Sequence, residues 1–106
     1  MKGIIITAGT ALLLSAGVAS AELNTTADEL LRNSGCYACH SVDQKRIGPS
    51  YKEVAAKYSG DSSASAALVE KVTNGGGGVW GPTPMIPNKH LSQENIKTMV
   101  DGILEL

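Results

Sequence analysis

Phenylalanine is missing from this 106-residue chain, and three tyrosines and one tryptophan are its only aromatic residues. A core built from such side chains is thin, and a domain this small buries too little of its surface to be stable without an additional staple. Nine Lys and Arg stand against ten Asp and Glu in scattered positions, with no basic block or Arg cluster. That distribution gives no footing for nucleic-acid binding. No alternating run reads as a convincing strand, and no internal repeat or separate linker appears. Cysteine occurs only twice. A structural zinc site would need His40, the distant His90 and a carboxylate, which fits neither usual ligand spacing.

What the N-terminus does hold is a leader pattern. Lys2 supplies a positive start, Gly3 to Leu14 is largely apolar, and Ala19-Ser20-Ala21 is a small-x-small cleavage signal. A secretory signal peptide over 1–21 is expected, with cleavage between Ala21 and Glu22 and a single mature domain over 22–106. The apolar run is short and broken by Thr7, Thr10 and Ser15, so no stable membrane insertion is expected once the leader is removed.

The most informative run is Cys36-Tyr37-Ala38-Cys39-His40. Two thiols three positions apart, followed at once by an imidazole, are the spacing of covalent haem c attachment. The cysteines form thioethers with the two vinyl groups, and His40 reaches the iron from one face. A large apolar macrocycle also fills the core that the side chains cannot. Export would permit a Cys36–Cys39 disulfide instead, but that leaves His40 without a task, and a thioredoxin-like site belongs in a βαβ setting.

Periodicity and stop signals give an all-α chain of about four helices. The first is expected over Ala27 to Asn33, capped by Thr25 or Thr26 and stopped by Gly35. The second runs from Tyr51 to Ser59 after the cap Ser50, with Tyr51, Val54, Ala55 and Tyr58 on one stripe. A third covers Ser63 to Thr73, with Ala64, Ala67, Leu68 and Val72 inward, and ends in Asn74 and four glycines. The last follows Ser92 and reaches Leu104, with Gly102 as a weak interior point that costs about 1 kcal/mol relative to alanine. Between the last two lies 75–91, too long for a routine connection, and long ordered loops are usually functional. Three prolines, Trp80 and Met85 argue that it is ordered.

A haem iron held by His40 keeps one axial position, for which Met85, Met99 and His90 compete. Met99 falls on the apolar stripe of the last helix and reads as core, while His90 lies on the polar edge before Ser92. Met85 sits mid-loop between Pro84 and Pro87, where a helix-core role is unavailable. Proline lowers the entropy of the unfolded loop and so favours retention of a weak thioether ligand. His/Met ligation raises the reduction potential and leaves no open position for a substrate. That combination is an electron carrier and not an enzyme.

Taken together, Cys36 to His40 and the stretch from Gly78 to Asn88, containing Trp80-Gly81-Pro82-Thr83-Pro84-Met85, resemble the small class I bacterial cytochromes c, the c-551/c-552 group above all. The resemblance covers essentially all of 22–106. It implies a small class I cytochrome c fold in which the terminal helices cross and the others wrap one covalently attached haem. It also implies roles for four residues around the haem and its ligands. Pro49 would accept a hydrogen bond from the Nδ1–H of His40, Trp80 would meet a haem propionate, Asn88 would bond near the ligand sulfur, and Lys71 would stand near a propionate. Relatives commonly carry an aromatic where this chain has Leu31 and a tryptophan where it has Gly102, so a lighter crossing of the terminal helices is expected. Ile86 replaces a frequent proline.

The expectation is therefore a soluble, monomeric periplasmic shuttle for one electron in a respiratory chain. Family analogy suggests a quinol-oxidising complex as donor and a nitrite reductase, terminal oxidase or peroxidase as acceptor. Ile47 and the segment Pro84 to Pro87 would form its docking patch. The alternative is a haem enzyme or gas sensor with an open or labile sixth iron position. Because the side chains alone make a thin core, the haem-free Cys36→Ala/Cys39→Ala protein should be largely unfolded. Far-ultraviolet circular dichroism checks this: native-like helicity with cooperative melting would contradict it.

Overall fold

The structure, a computed structural model, describes Gly3, Gly9 and residues 21–106. Apart from Gly3, Gly9 and Ala21, the leader expected over 1–21 lies outside the described residues. Among them are four α-helices, one 3-10 turn, a single isolated bridge and no strand.

Helix α1 spans Thr25–Asn33. Asn24, Thr25 and Thr26 all carry a capping oxygen, and the outermost takes the role: Asn24 Oδ1 accepts the Ala27 N–H at 2.8 Å. Both threonines therefore fall inside the first turn, two residues before the expected start. Gly35, at φ 77°, turns the chain out of the helix and directly into the 3-10 turn Cys36–Ala38.

Helix α2 (Tyr51–Lys57) opens on a reciprocal cap. Ser50 Oγ accepts the Glu53 N–H at 3.1 Å, and Glu53 Oε2 accepts the Ser50 N–H at 3.0 Å. Such a cap contributes about 1 kcal/mol. The helix stops two residues short of Ser59, with Tyr58 as its C-cap. Helix α3 (Ala64–Asn74) buries only Ala64 fully. Ala67, expected inward, is exposed, and Val69 packs on the core beside Leu68 and Val72. The helix is rolled so that its branched side chains, which remove more apolar area from water than alanine, take the inner positions. Helix α4 (Gln93–Leu104) is capped by Ser92, whose Oγ accepts the Asn95 N–H at 3.1 Å.

The other three helices all pack on α4. Its Ile96, Met99 and Val100 meet Leu31 of α1 and Tyr51 of α2 in one buried cluster. The crossing of α1 and α4 is closer than the expected light contact. Gly102 is buried, and a Cβ placed on it would lie 2.5 Å from Ala27 Cβ and 3.0 Å from Asn24 Nδ2. With no side chain at 102, the two helices approach closely at Ala27. Gly102→Ala should therefore destabilise the haem-loaded protein by roughly 1–2 kcal/mol, because overpacking outweighs the gain in helix propensity. A raised melting temperature in that variant would show that α1 gives way.

Candidate haem site

The functional side chains are set by the return of the chain after the 3-10 turn. The Cys39 N–H and the His40 N–H both donate to the Cys36 carbonyl, at 3.2 and 3.1 Å. The loop beyond closes back on this turn: Gly48 N–H donates to the Cys39 carbonyl at 2.8 Å, and Tyr51 N–H to the Ser41 carbonyl at 2.9 Å. Closure carries buried Pro49 to the imidazole, where His40 Nδ1–H donates to its carbonyl at 2.7 Å. A carbonyl can only accept, so Nδ1 carries the proton in this contact, and in the neutral ring Nε2 is the nitrogen left with a lone pair. Gly48 makes the approach possible, since a Cβ there would stand 2.5 Å from His40 Cε1. On another side the Tyr51 ring stacks on the imidazole, with centroids 5.4 Å apart.

Tyr37, inside the motif, ties it to α1. Its hydroxyl donates to Asp28 Oδ1 at 2.6 Å, and Asp28 also takes Arg32 Nε at 3.0 Å. The Tyr37 hydrogen bond, then that of Arg32, holds the Asp28 carboxyl below its ordinary range. Burial, reinforced by Asp28, pushes the Tyr37 phenol up to about 12.

The methionine side of the site hangs from the end of α3. Gly75 caps that helix at φ 69°, and a Cβ on it would collide with the Met85 carbonyl. Gly76 and Met85 then form the isolated antiparallel bridge, exchanging N–H to carbonyl bonds of 2.9 and 3.0 Å. Asn88, almost fully buried, closes the segment: its N–H donates to the Thr73 carbonyl at 3.1 Å. Both hydrogens of its side-chain amide are used, Nδ2 donating to Val72 O at 3.2 Å and Ile86 O at 3.1 Å. Lys71 Nζ reaches the Gly77 carbonyl at 3.4 Å. Trp80 stays partly exposed, with the Lys57 ammonium 5.5 Å from its ring.

These parts surround one cleft of about 230 Å³. All eight residues singled out by sequence (Cys36, Cys39, His40, Pro49, Lys71, Trp80, Met85 and Asn88) line it. Met99 reaches its wall from the buried core, whereas exposed His90 is not part of it. Gly48 and Tyr51 also line the cleft. The only sequence sign of the former was a glycine directly before Pro49, and of the latter its place on a buried stripe.

The donor set fits haem c. Cys36 and Cys39 are half-buried free thiols, and burial pushes the Cys36 thiol up. The remaining lining is largely aliphatic and aromatic, with no carboxylate to oppose the macrocycle. The Tyr51 hydroxyl is buried without a partner, and burial raises its pKa well above the ordinary phenol value. Such an orphaned polar group at a cleft wall is what a bound group would be expected to cover. Replacing Asn88 with alanine should strand the Val72 and Ile86 carbonyls and cost about 1–3 kcal/mol. Thermal or denaturant unfolding of the haem-loaded variant checks this, and unchanged stability would mean that water replaces the amide.

Comparison with known proteins agrees with this geometry. The family model for cytochrome c matches residues 25–106. A cytochrome c-551 of Pseudomonas aeruginosa is 47% identical over 75 residues, covering 71% of each chain. One from Allochromatium vinosum is 52% identical over 77 residues, 73% of this chain and 82% of its own. Among solved structures, the wild-type cytochrome c552 of Nitrosomonas europaea aligns with a TM-score of 0.70 at 40% identity, over 73% of this chain and 95% of its own. With the attachment motif and the helical frame in place, this chain belongs to the cytochrome c family as a small class I c-type cytochrome carrying a single haem c.

Proposed function

We propose that this small haem c electron carrier works in the periplasm, ligated by His40 and Met85 and attached through Cys36 and Cys39. The export leader over 1–21 and the mature domain over 22–106 are part of the same reading. The observation that carries it is the fixed imidazole: Nδ1 is committed to Pro49 and Nε2 remains for iron, in the cleft that Met85 also lines. The bound haem supplies a one-electron ferric/ferrous couple.

The chain's own residues would make that exchange fast. The Pro49 carbonyl holds the ring in one orientation and raises its donor strength. Gly76 bonds the Met85 backbone in both directions and Asn88 holds the neighbouring Ile86 carbonyl, so a weak thioether ligand need not order its own loop. Apolar walls exclude water, so little solvent reorganises when the charge changes. Trp80 and Lys71, both on the cleft wall, would serve the propionates. Among the described residues no helix is long and apolar enough to cross a membrane.

Ile47, Val79, Trp80 and Ile86 are exposed, Ile86 to 72%, and all four line the cleft. Exposed apolar residues around the cleft suit a small, short-lived redox encounter. A quinol-oxidising donor and a nitrite reductase, terminal oxidase or peroxidase acceptor, met by a monomer, complete the proposal.

The oxidised protein should show the far-red charge-transfer band of methionine–ferric ligation. Met85→Ala should lose the band, lower the reduction potential and let the reduced iron take up carbon monoxide. A high-spin spectrum in the parent protein, or a band that survives the substitution, would overturn the assignment and favour an open-site haem protein.

A further inference from the structure

Lys57 is the last residue of α2. Its ammonium lies 5.5 Å from the centre of the Trp80 ring and 5.9 Å from that of Tyr58. Both distances fall within the range over which a cation is attracted to an aromatic face. The two rings belong to different elements of the fold. Tyr58 caps α2, whose Tyr51 and Val54 line one side of the cleft, while Trp80 lines it from the segment that carries Met85.

That segment is well tied at its base and poorly tied at its tip. The Gly76–Met85 bridge and Asn88 hold the base. Over 77–84, the Gly78 N–H to Gly81 carbonyl bond of 2.9 Å stays within the tip, and Lys71 reaches it only through the 3.4 Å contact with Gly77. Among the described residues Lys57 takes part in no salt bridge, so no carboxylate competes with the rings for its charge. Its position at the C-terminal end of α2 is also one where the helix dipole favours a cation.

We propose that Lys57 is a positioning residue, a cationic latch that joins the tip of the methionine segment to the end of α2. With the ammonium within reach of both rings, the tip of the segment is held to the end of α2, and Met85 would be kept available as a ligand. The latch rests on this geometry alone; its effect on Met85 rests on the ligation proposed above.

The test compares the haem-loaded parent with Lys57→Met, which keeps an apolar stem and removes the charge, and Lys57→Arg, which keeps a cation. Two rates are read in each: hydrogen exchange at the indole N–H of Trp80, the only tryptophan of the chain, and uptake of added imidazole by the oxidised protein. An exposed contact of this kind corresponds to a shift of about two- to fivefold in an opening equilibrium. Lys57→Met should therefore speed both rates by about threefold, and Lys57→Arg should restore both to near the parent values. Unchanged indole exchange in Lys57→Met overturns the latch, as does failure of arginine to rescue. Faster exchange with unchanged imidazole uptake overturns its hold on Met85. If the parent lacks the far-red methionine band, the ligation reading fails, and the indole measurement still decides the latch.

Discussion

The hydrogen bond from His40 Nδ1 to the Pro49 carbonyl orients everything around it. It requires the chain beyond the haem motif to fold back completely, which the Gly48–Cys39 and Tyr51–Ser41 backbone bonds accomplish. It also requires a residue without a side chain next to the ring, which Gly48 supplies. Once the ring is fixed, Tyr51 stacks on it, and Tyr51 is at once the first residue of α2 and a member of the buried cluster. One polar contact thus links the metal-binding group to the helical frame, so the core and the site cannot be perturbed separately.

The opposite requirement governs the methionine side. There the backbone carries the order: a capping glycine, a two-way bridge and a buried amide fix where residue 85 stands. Few bonds extend to the tip, which leaves the apolar rim presented to solvent. Rigid at the base and open at the mouth is a division that suits the proposed carrier, which would keep its ligands while meeting partners briefly.

Legibility from sequence followed the range of each interaction. Ser50 and Ser92 could be identified because a cap and the N–H it serves are only three residues apart. The attachment motif and the proline-flanked methionine are local patterns as well. Helix starts were less certain where three capping residues stand in a row, as at Asn24, Thr25 and Thr26, since only packing selects among them. Ala67 shows the limit of periodicity on a helix that is largely exposed, because a small residue weighs little on either face. Least visible were contacts between residues distant in the chain. Gly102 reads as a flaw in α4 until Ala27 is found against it, and nothing in the local pattern marks Gly48 as the floor beneath an imidazole or Lys57 as a neighbour of Trp80.

The two-way pairing of Gly76 with residue 85 uses only main-chain atoms. The thioether is therefore mounted on a socket whose fastening is indifferent to what is plugged into it. Under the proposed Met85 ligation, a carrier constructed in this manner could have its electrochemistry retuned by exchanging one side chain, while the scaffold that presents that side chain stays as it was.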